Sequence, residues 1–244
     1  MIRTAIFIIM LMSFIRLNGQ AGVPNSDSVS VDSLDQFIID YLNNNDIGFL
    51  WEGEQSQNER IGYIGQEYER IQIHFNSIIQ NYDNPSEYLV YGKSKVMNNT
   101  CEFQGYLIIT EVGFKTESIS NSPKHGFLDG EYIFYEDPSC FHSGIFQGKF
   151  YTDFYIDNTE TLYYDDLGSD DNLFANNSFV GSWFHYDSDL TQVCNWGDYR
   201  IAESIGLDIG LEKFKPAFKY LEYGWKEYLQ EQKDTIEQSI PWWK

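Results

Sequence analysis

Basic side chains are scarce in this 244-residue chain: 16 Lys and Arg stand against 37 Asp and Glu, a formal net charge of −21. A surface this acidic is poorly suited to displace the counterions of a phosphate backbone, so no nucleic-acid partner is expected. Cysteine is limited to Cys101, Cys140 and Cys194, at spacings that match neither a CxxC redox pair nor a zinc motif. The familiar catalytic signatures are missing as well. There is no Gly-x-Ser-x-Gly elbow, no His-Glu-x-x-His, no phosphate-binding loop ending in Lys-Ser or Lys-Thr, and no dinucleotide fingerprint. What the chain has in quantity is aromatic: 18 Tyr, 18 Phe and 6 Trp. That content argues against disorder, which requires low hydrophobicity together with high charge.

The one long apolar run lies at the start. Arg3 precedes Ala5 to Ile15, a stretch of signal-peptide length that is too short to span a bilayer comfortably. Residues 1–19 therefore read as a signal peptide, with cleavage points before Gln20 or Gly22, and no transmembrane span is expected after cleavage. Leu17-Asn18-Gly19-Gln20 resembles the ends of export signals of some Gram-negative bacteria, which implies a periplasmic or secreted protein. An oxidising compartment permits one disulfide among three cysteines. All three pairings are open to the sequence, and the favoured one is Cys101–Cys194, because Cys101 opens an expected strand and Cys194 follows another.

Residues 20–32 are small and polar and read as a linker. Residues 33–244 are expected to form a single β-rich domain. Its first element is a helix over 33–43: Ser33 and Gln36 fit a capping box, and Leu34, Phe37, Ile38, Tyr41 and Leu42 recur at helical spacing. From about residue 48 to 200 the period changes to two, as in Arg70-Ile-Gln-Ile-His-Phe-Asn76. Further strands are expected at 88–96, 101–111, 127–136, 144–157, 160–166 and 178–187, with a turn at Asp83-Asn84-Pro85-Ser86. No connection holds a crossover helix, so the sheet should be antiparallel. Residues 201–244 are expected to form a C-terminal segment with helical turns and an apolar Trp242-Trp243 tail, folded across one end of the sheet.

A short pattern recurs within the strands. Phe103-Gln-Gly-Tyr-Leu107, Leu128-Asp-Gly-Glu-Tyr132, Phe146-Gln-Gly-Lys-Phe150 and Phe179-Val-Gly-Ser-Trp183 all read Φ-x-Gly-x-Φ, where Φ is a large apolar residue. Alternate residues of a strand share a face, so each motif sets a large side chain, a gap and a large side chain on one side. Such gaps admit a neighbour or bend the sheet. The expected fold is mainly β, a curved antiparallel meander or barrel of about 8–10 strands. Phe179-Val-Gly-Ser-Trp183 resembles the Gly-x-Trp opening of lipocalin-like (calycin) barrels, and Gly126 to Phe150 is similar to MORN-type Gly-aromatic hairpins. These resemblances imply an architecture and assign no functional residue.

Several residues are candidates for a site. Opposite the apolar face of residues 144–157 stand Tyr151, Asp153 and Tyr155, joined from the neighbouring strand by Glu131 and Tyr135. Tyrosines among carboxylates suit sugar or peptide recognition, since rings give stacking area and acids fix polar groups. They are also ordinary on the solvated face of an antiparallel sheet. Trp196, Asp198 and Arg200 form a second cluster if that segment is extended. Asp166, Asp170 and Asn172 place oxygens at intervals in a Gly-containing loop, so calcium is the one ion for which a ligand pattern exists. No other cofactor is expected. The leading expectation is an exported, non-enzymatic binding domain for a small molecule, glycan or protein ligand. The alternatives are a glycosidase-like hydrolase using paired carboxylates and an envelope or adhesion module.

Overall fold

The computed structural model describes residues 36–52, 60–115, 123–168, 171, 173–233 and 241–244. The proposed signal peptide and linker lie outside the described residues. The chain opens on helix α1 (Gln36–Asn44) and a 3-10 turn (Gly48–Leu50), then forms nine strands. These are β1 (Ile61–Ile64), β2 (Glu69–Asn81), β3 (Asn84–Val96), β4 (Asn99–Phe114), β5 (Lys124–Glu136), β6 (Gly144–Ile156), β7 (Leu162–Tyr164), β8 (Asn176–His185) and β9 (Thr191–Asp198). A second 3-10 turn (Phe218–Tyr223) and helix α2 (Trp225–Glu231) follow. The fold is mainly β, as the alternation requires.

All pairings between these strands are antiparallel, and the sheet curves into a ring. The order is β5-β4-β3-β2-β1-β9-β8-β6-β7, and a further pairing of β5 with β6 closes it. Eight strands make the circuit, and β7 pairs with the end of β6 beyond the stretch that β8 covers. Curvature has a visible cause in the Φ-x-Gly-x-Φ motifs. Their apolar residues all point inward and are buried: Phe103 and Leu107, Leu128 and Tyr132, Phe146 and Phe150, Phe179 and Trp183. Each glycine leaves a gap that an adjacent strand fills. A Cβ at Gly130 would stand 2.4 Å from the Phe150 ring.

The interior is packed with rings. Trp196 stacks on Phe179 at 5.1 Å between centroids, Phe103 on Phe134 at 5.0 Å, and Tyr132 meets Trp196 edge-on at 5.1 Å. One mouth of the barrel is plugged by the N-terminal segment. Ile47, Leu50 and Trp51 are buried there, with Trp51 edge-on to Tyr88 and Phe150. The plug is also held by polar contacts: Trp51 Nε1 donates to Thr152 Oγ1 at 2.9 Å, and Asn177 Nδ2 to the Leu50 carbonyl at 2.9 Å.

The C-terminal segment departs from expectation. It does not lie across an end of the sheet but packs on the outside of the wall, where Ile201, Leu207, Phe214, Trp225 and Tyr228 cluster with Ile61 and Tyr63 of β1. Strand β1 is consequently buried on both faces, with Ile64 in the interior. At the chain's last described residues, 241–244, Trp243 stacks on His74 of β2 at 4.1 Å. Among the described residues, no helix is long and apolar enough to cross a membrane.

The disulfide expected between Cys101 and Cys194 is not formed. All three cysteines are free thiols. Cys101 lies on β4 and Cys194 on β9, with β3, β2 and β1 between them in the ring.

Candidate functional site

With the barrel interior filled, the site must be sought on the outer wall, on the faces of β2 to β6 that the C-terminal segment leaves open. Alternation places the non-core residues of these strands there in registered rows. Ile79 of β2 pairs with Leu89 of β3, Leu89 with Tyr106 of β4, and Tyr106 with Ile133 of β5. The next row runs Ser77, Tyr91, Gln104 and Tyr135. These rows line an open groove of about 360 Å³. Its large side chains face solvent, with Ile79 57%, Tyr106 38% and Tyr135 40% exposed. Tyr91 is hydrogen-bonded to Glu102, which raises its phenol pKa. Three phenol rings, two aliphatic side chains and the Gln104 amide thus share one concave strip.

Further along the same wall the chemistry turns ionic. Glu131 lies directly across from Lys149, Asp129 from Tyr151, and Phe127 from Asp153. The rings of Phe127 and Tyr151 stack at 5.7 Å and 13°. Lys115 Nζ sits 2.8 Å from Asp153 Oδ1. Burial, followed by the charge of Asp153 and a hydrogen bond to it, pushes the Tyr151 phenol well above its ordinary range. Burial first, and then Glu111 directly across the strand pair, holds the Asp129 carboxyl above its own. At the far end Tyr155 stacks on Tyr163 at 5.1 Å, and His125 Nδ1 is hydrogen-bonded to Asp165 Oδ2 at 2.6 Å.

The structure thus places Tyr151, Tyr155, Glu131 and Tyr135 on the outer side of one wall, together with Asp153, which is itself buried. Tyr135 lines the groove, while Tyr151 and Asp153 belong to the ionic stretch. The cluster of Trp196, Asp198 and Arg200 is not assembled. Trp196 and Asp198 point into the barrel and are buried. Asp198 Oδ2 accepts from Tyr164 Oη at 3.0 Å and from Asn177 Nδ2 at 2.7 Å, and Oδ1 faces Arg60 Nε at 3.4 Å. The Arg60 guanidinium lies 4.7 Å over the Phe75 ring. Arg200 pairs instead with Asp208 in the C-terminal segment. This separation follows from the strand ending at Asp198, beyond which side chains no longer alternate across the wall.

Of the loop proposed for calcium, Asp166 is exposed, and Asp170 and Asn172 lie outside the described residues. Asp165 beside it is committed, since Oδ2 is engaged by His125 and Oδ1 accepts from the Leu167 amide. Among the described residues no group of three or more His, Cys, Asp or Glu is arranged to hold a metal ion.

Sequence reading missed the groove residues Tyr91, Tyr106, Ile79 and Leu89. The available signal was that large apolar residues occupy positions out of phase with the core on β2, β3 and β4. Compared with protein-family models, curated proteins and solved structures, the chain has no match.

Proposed function

We propose that the chain is an exported, non-enzymatic binding domain that takes a glycan segment on the outside of its barrel, in the groove lined by Tyr91, Tyr106 and Tyr135. The observation that carries this reading is the contrast between a barrel filled by its own aromatic rings and an open strip of exposed phenols on its wall. Sugar rings present apolar C–H faces that stack on aromatic side chains, while their hydroxyls seek amides and carboxylates. Gln104 lies within the strip and Glu131 beside it to meet those hydroxyls.

The test is a glycan array on the mature chain, followed by titration of the best hit against Tyr106→Ala and Tyr135→Ala. Each variant should weaken binding at least about tenfold, equivalent to roughly 1.4 kcal/mol. Melting temperatures should stay close to wild type, because both rings are exposed. Failure to bind any glycan, or equal binding by both variants, overturns the reading. A small-molecule or protein ligand would then be sought through the aliphatic flank at Ile79 and Leu89.

A second reading, a glycosidase-like hydrolase, is favoured by one observation. Burial and then Glu111 raise the Asp129 pKa, and the two carboxyls stand opposite each other across β4 and β5, a pair of acids of the kind such enzymes use. Asp129→Asn separates the two readings. Hydrolysis of a bound glycan that disappears in this variant while binding persists would make the protein an enzyme.

A further inference from the structure

We propose that Cys101 and Cys140 are a redox pair that closes to an intrachain disulfide, stapling the loop between β5 and β6 to the start of β4. The two thiols come from distant parts of the chain and meet at the barrel mouth opposite the plug. Cys101 is buried near the start of β4. Cys140 is half-buried in the loop that follows β5, and its Sγ lies 3.9 Å from the carbonyl oxygen of Thr100, the residue before Cys101. Burial first, and then the neighbouring Cys140 thiol, raises the Cys101 thiol above its ordinary range.

The surrounding contacts fix this approach. Asn99 Nδ2 reaches Cys101 Sγ at 3.8 Å and the Phe141 carbonyl at 2.7 Å, so one amide ties the strand to the residue beside Cys140. The Asp137 amide donates to the Glu102 carbonyl at 2.8 Å, and the Cys140 amide to the Asp137 carbonyl at 3.0 Å. The loop is therefore held against β4 on both sides of Cys140. Cys194 takes no part, being enclosed in the aromatic core.

The chemistry is thiol–disulfide exchange with a small-molecule disulfide, such as oxidised glutathione, as oxidant. The Cys140 thiolate attacks one sulfur of the reagent, forming a mixed disulfide and expelling one thiolate. Cys101 then loses its proton to solvent and attacks the Cys140 sulfur, and the second reagent thiolate leaves. Two protein thiols give up two protons and two electrons, and the reagent disulfide is reduced to two thiols. Burial raises the Cys101 thiol pKa, so this second step should be the slow one. The bridge closes a loop of roughly 40 residues, which constrains the unfolded chain substantially.

The test incubates the purified chain with oxidised glutathione, blocks remaining thiols under denaturing conditions without reduction, and maps peptides by mass spectrometry. A peptide linking Cys101 to Cys140, lighter by two hydrogens, is expected, with Cys194 recovered as the blocked thiol. The oxidised protein should melt about 5–10 °C above the reduced form, a gain that reductant reverses. Cys140→Ser, a change at a half-exposed loop position, should abolish both the linked peptide and the gain, whereas Cys194→Ser should leave the link intact. Three blockable thiols after incubation, stable glutathione adducts without closure, or a bridge containing Cys194 would each overturn the proposal.

Discussion

Glu136 stands at the mouth opposite the plug with its carboxyl enclosed: Ser94 Oγ donates to Oε1, and the Gly144 amide and Trp183 Nε1 donate to Oε2, the latter two at 2.9 Å. Burial outweighs these three bonds and raises its pKa. The folded state then holds this proton at a pH where the unfolded chain has released it, so Glu136 lowers stability as the pH rises from about 4.5 through its folded value. His74 acts with the opposite slope. Burial first, then Arg60 and Lys93, lowers its pKa from 6.5 to about 4. Here the unfolded chain takes up the proton first, and stability is lost as the pH falls from about 6.5 towards 4. Urea midpoints across pH 4–8 should therefore show Glu136→Gln gaining on wild type as the pH rises above 4.5, and His74→Gln gaining as it falls below 6.5. Parallel curves for either variant would refute its assignment. The glutamine at 136 can keep the geometry, since its oxygen meets the two N–H donors and its amide meets the Ser94 hydroxyl. Neither environment was legible in the sequence. His74 reads there as one polar residue of an alternating strand, and nothing nearby announces that Trp243 will cover it. The pairing of Asp198 with Arg60 was equally hidden, because neighbours along the chain favour Arg200 and only ring closure brings β1 beside β9.

The strands from β2 to β6, and β8, were legible because each has one buried face over most of its length, Arg70–Ile73 of β2 being buried on both, so hydrophobicity largely alternates as the backbone does. Strands β1 and β9 were not. The C-terminal segment covers their outer side, so Tyr63 and Asn195 are buried there while Ile64 and Trp196 fill the interior, and the alternation is erased. Asn195 is a member of this covered face, with Nδ2 donating to Tyr63 Oη at 3.0 Å and to the Ala202 carbonyl at 3.2 Å. The Φ-x-Gly-x-Φ motif was legible as pattern and as curvature, and its glycines carry a prediction. Gly148 of β6 and Gly181 of β8 face each other in register. A Cβ at Gly148 would lie 2.2 Å from the Val180 carbonyl oxygen and 2.6 Å from Gly181 Cα, both backbone atoms of the paired strand. Gly148→Ala should thus cost about 2–3 kcal/mol or more, because the strands must separate to admit one methyl. Equilibrium unfolding in urea measures this, and a loss below about 0.5 kcal/mol would show that the pair has slack.

At the scale of the molecule, a ring of eight strands is filled from inside by its own walls and from one mouth by the segment that precedes it. Trp51 is the centre of that plug, contacting Tyr88 and Phe150 and donating to Thr152. Trp51→Ala should cost about 3–5 kcal/mol, the usual range for a buried Trp, with the cavity opening at the plugged mouth. Urea unfolding would report it, and hydrogen exchange should show faster opening around Thr152 and Asn177 than around Glu136. Equal exchange at both mouths would mean that the plug is not an independent prop. The acidic surplus is a property of the same scale, carried outside a core whose inward positions are mostly aromatic. Closure has one more result. Each of the eight circuit strands pairs with one on either side, although β1 reaches only Glu69–Ile71 of β2, and β7, only three residues long, offers a short ladder to another strand. Among the described residues, edge-to-edge pairing between copies is thereby disfavoured along the closed part of the ring. Along that closed part of the wall, recognition falls to the side chains that the strands turn outward.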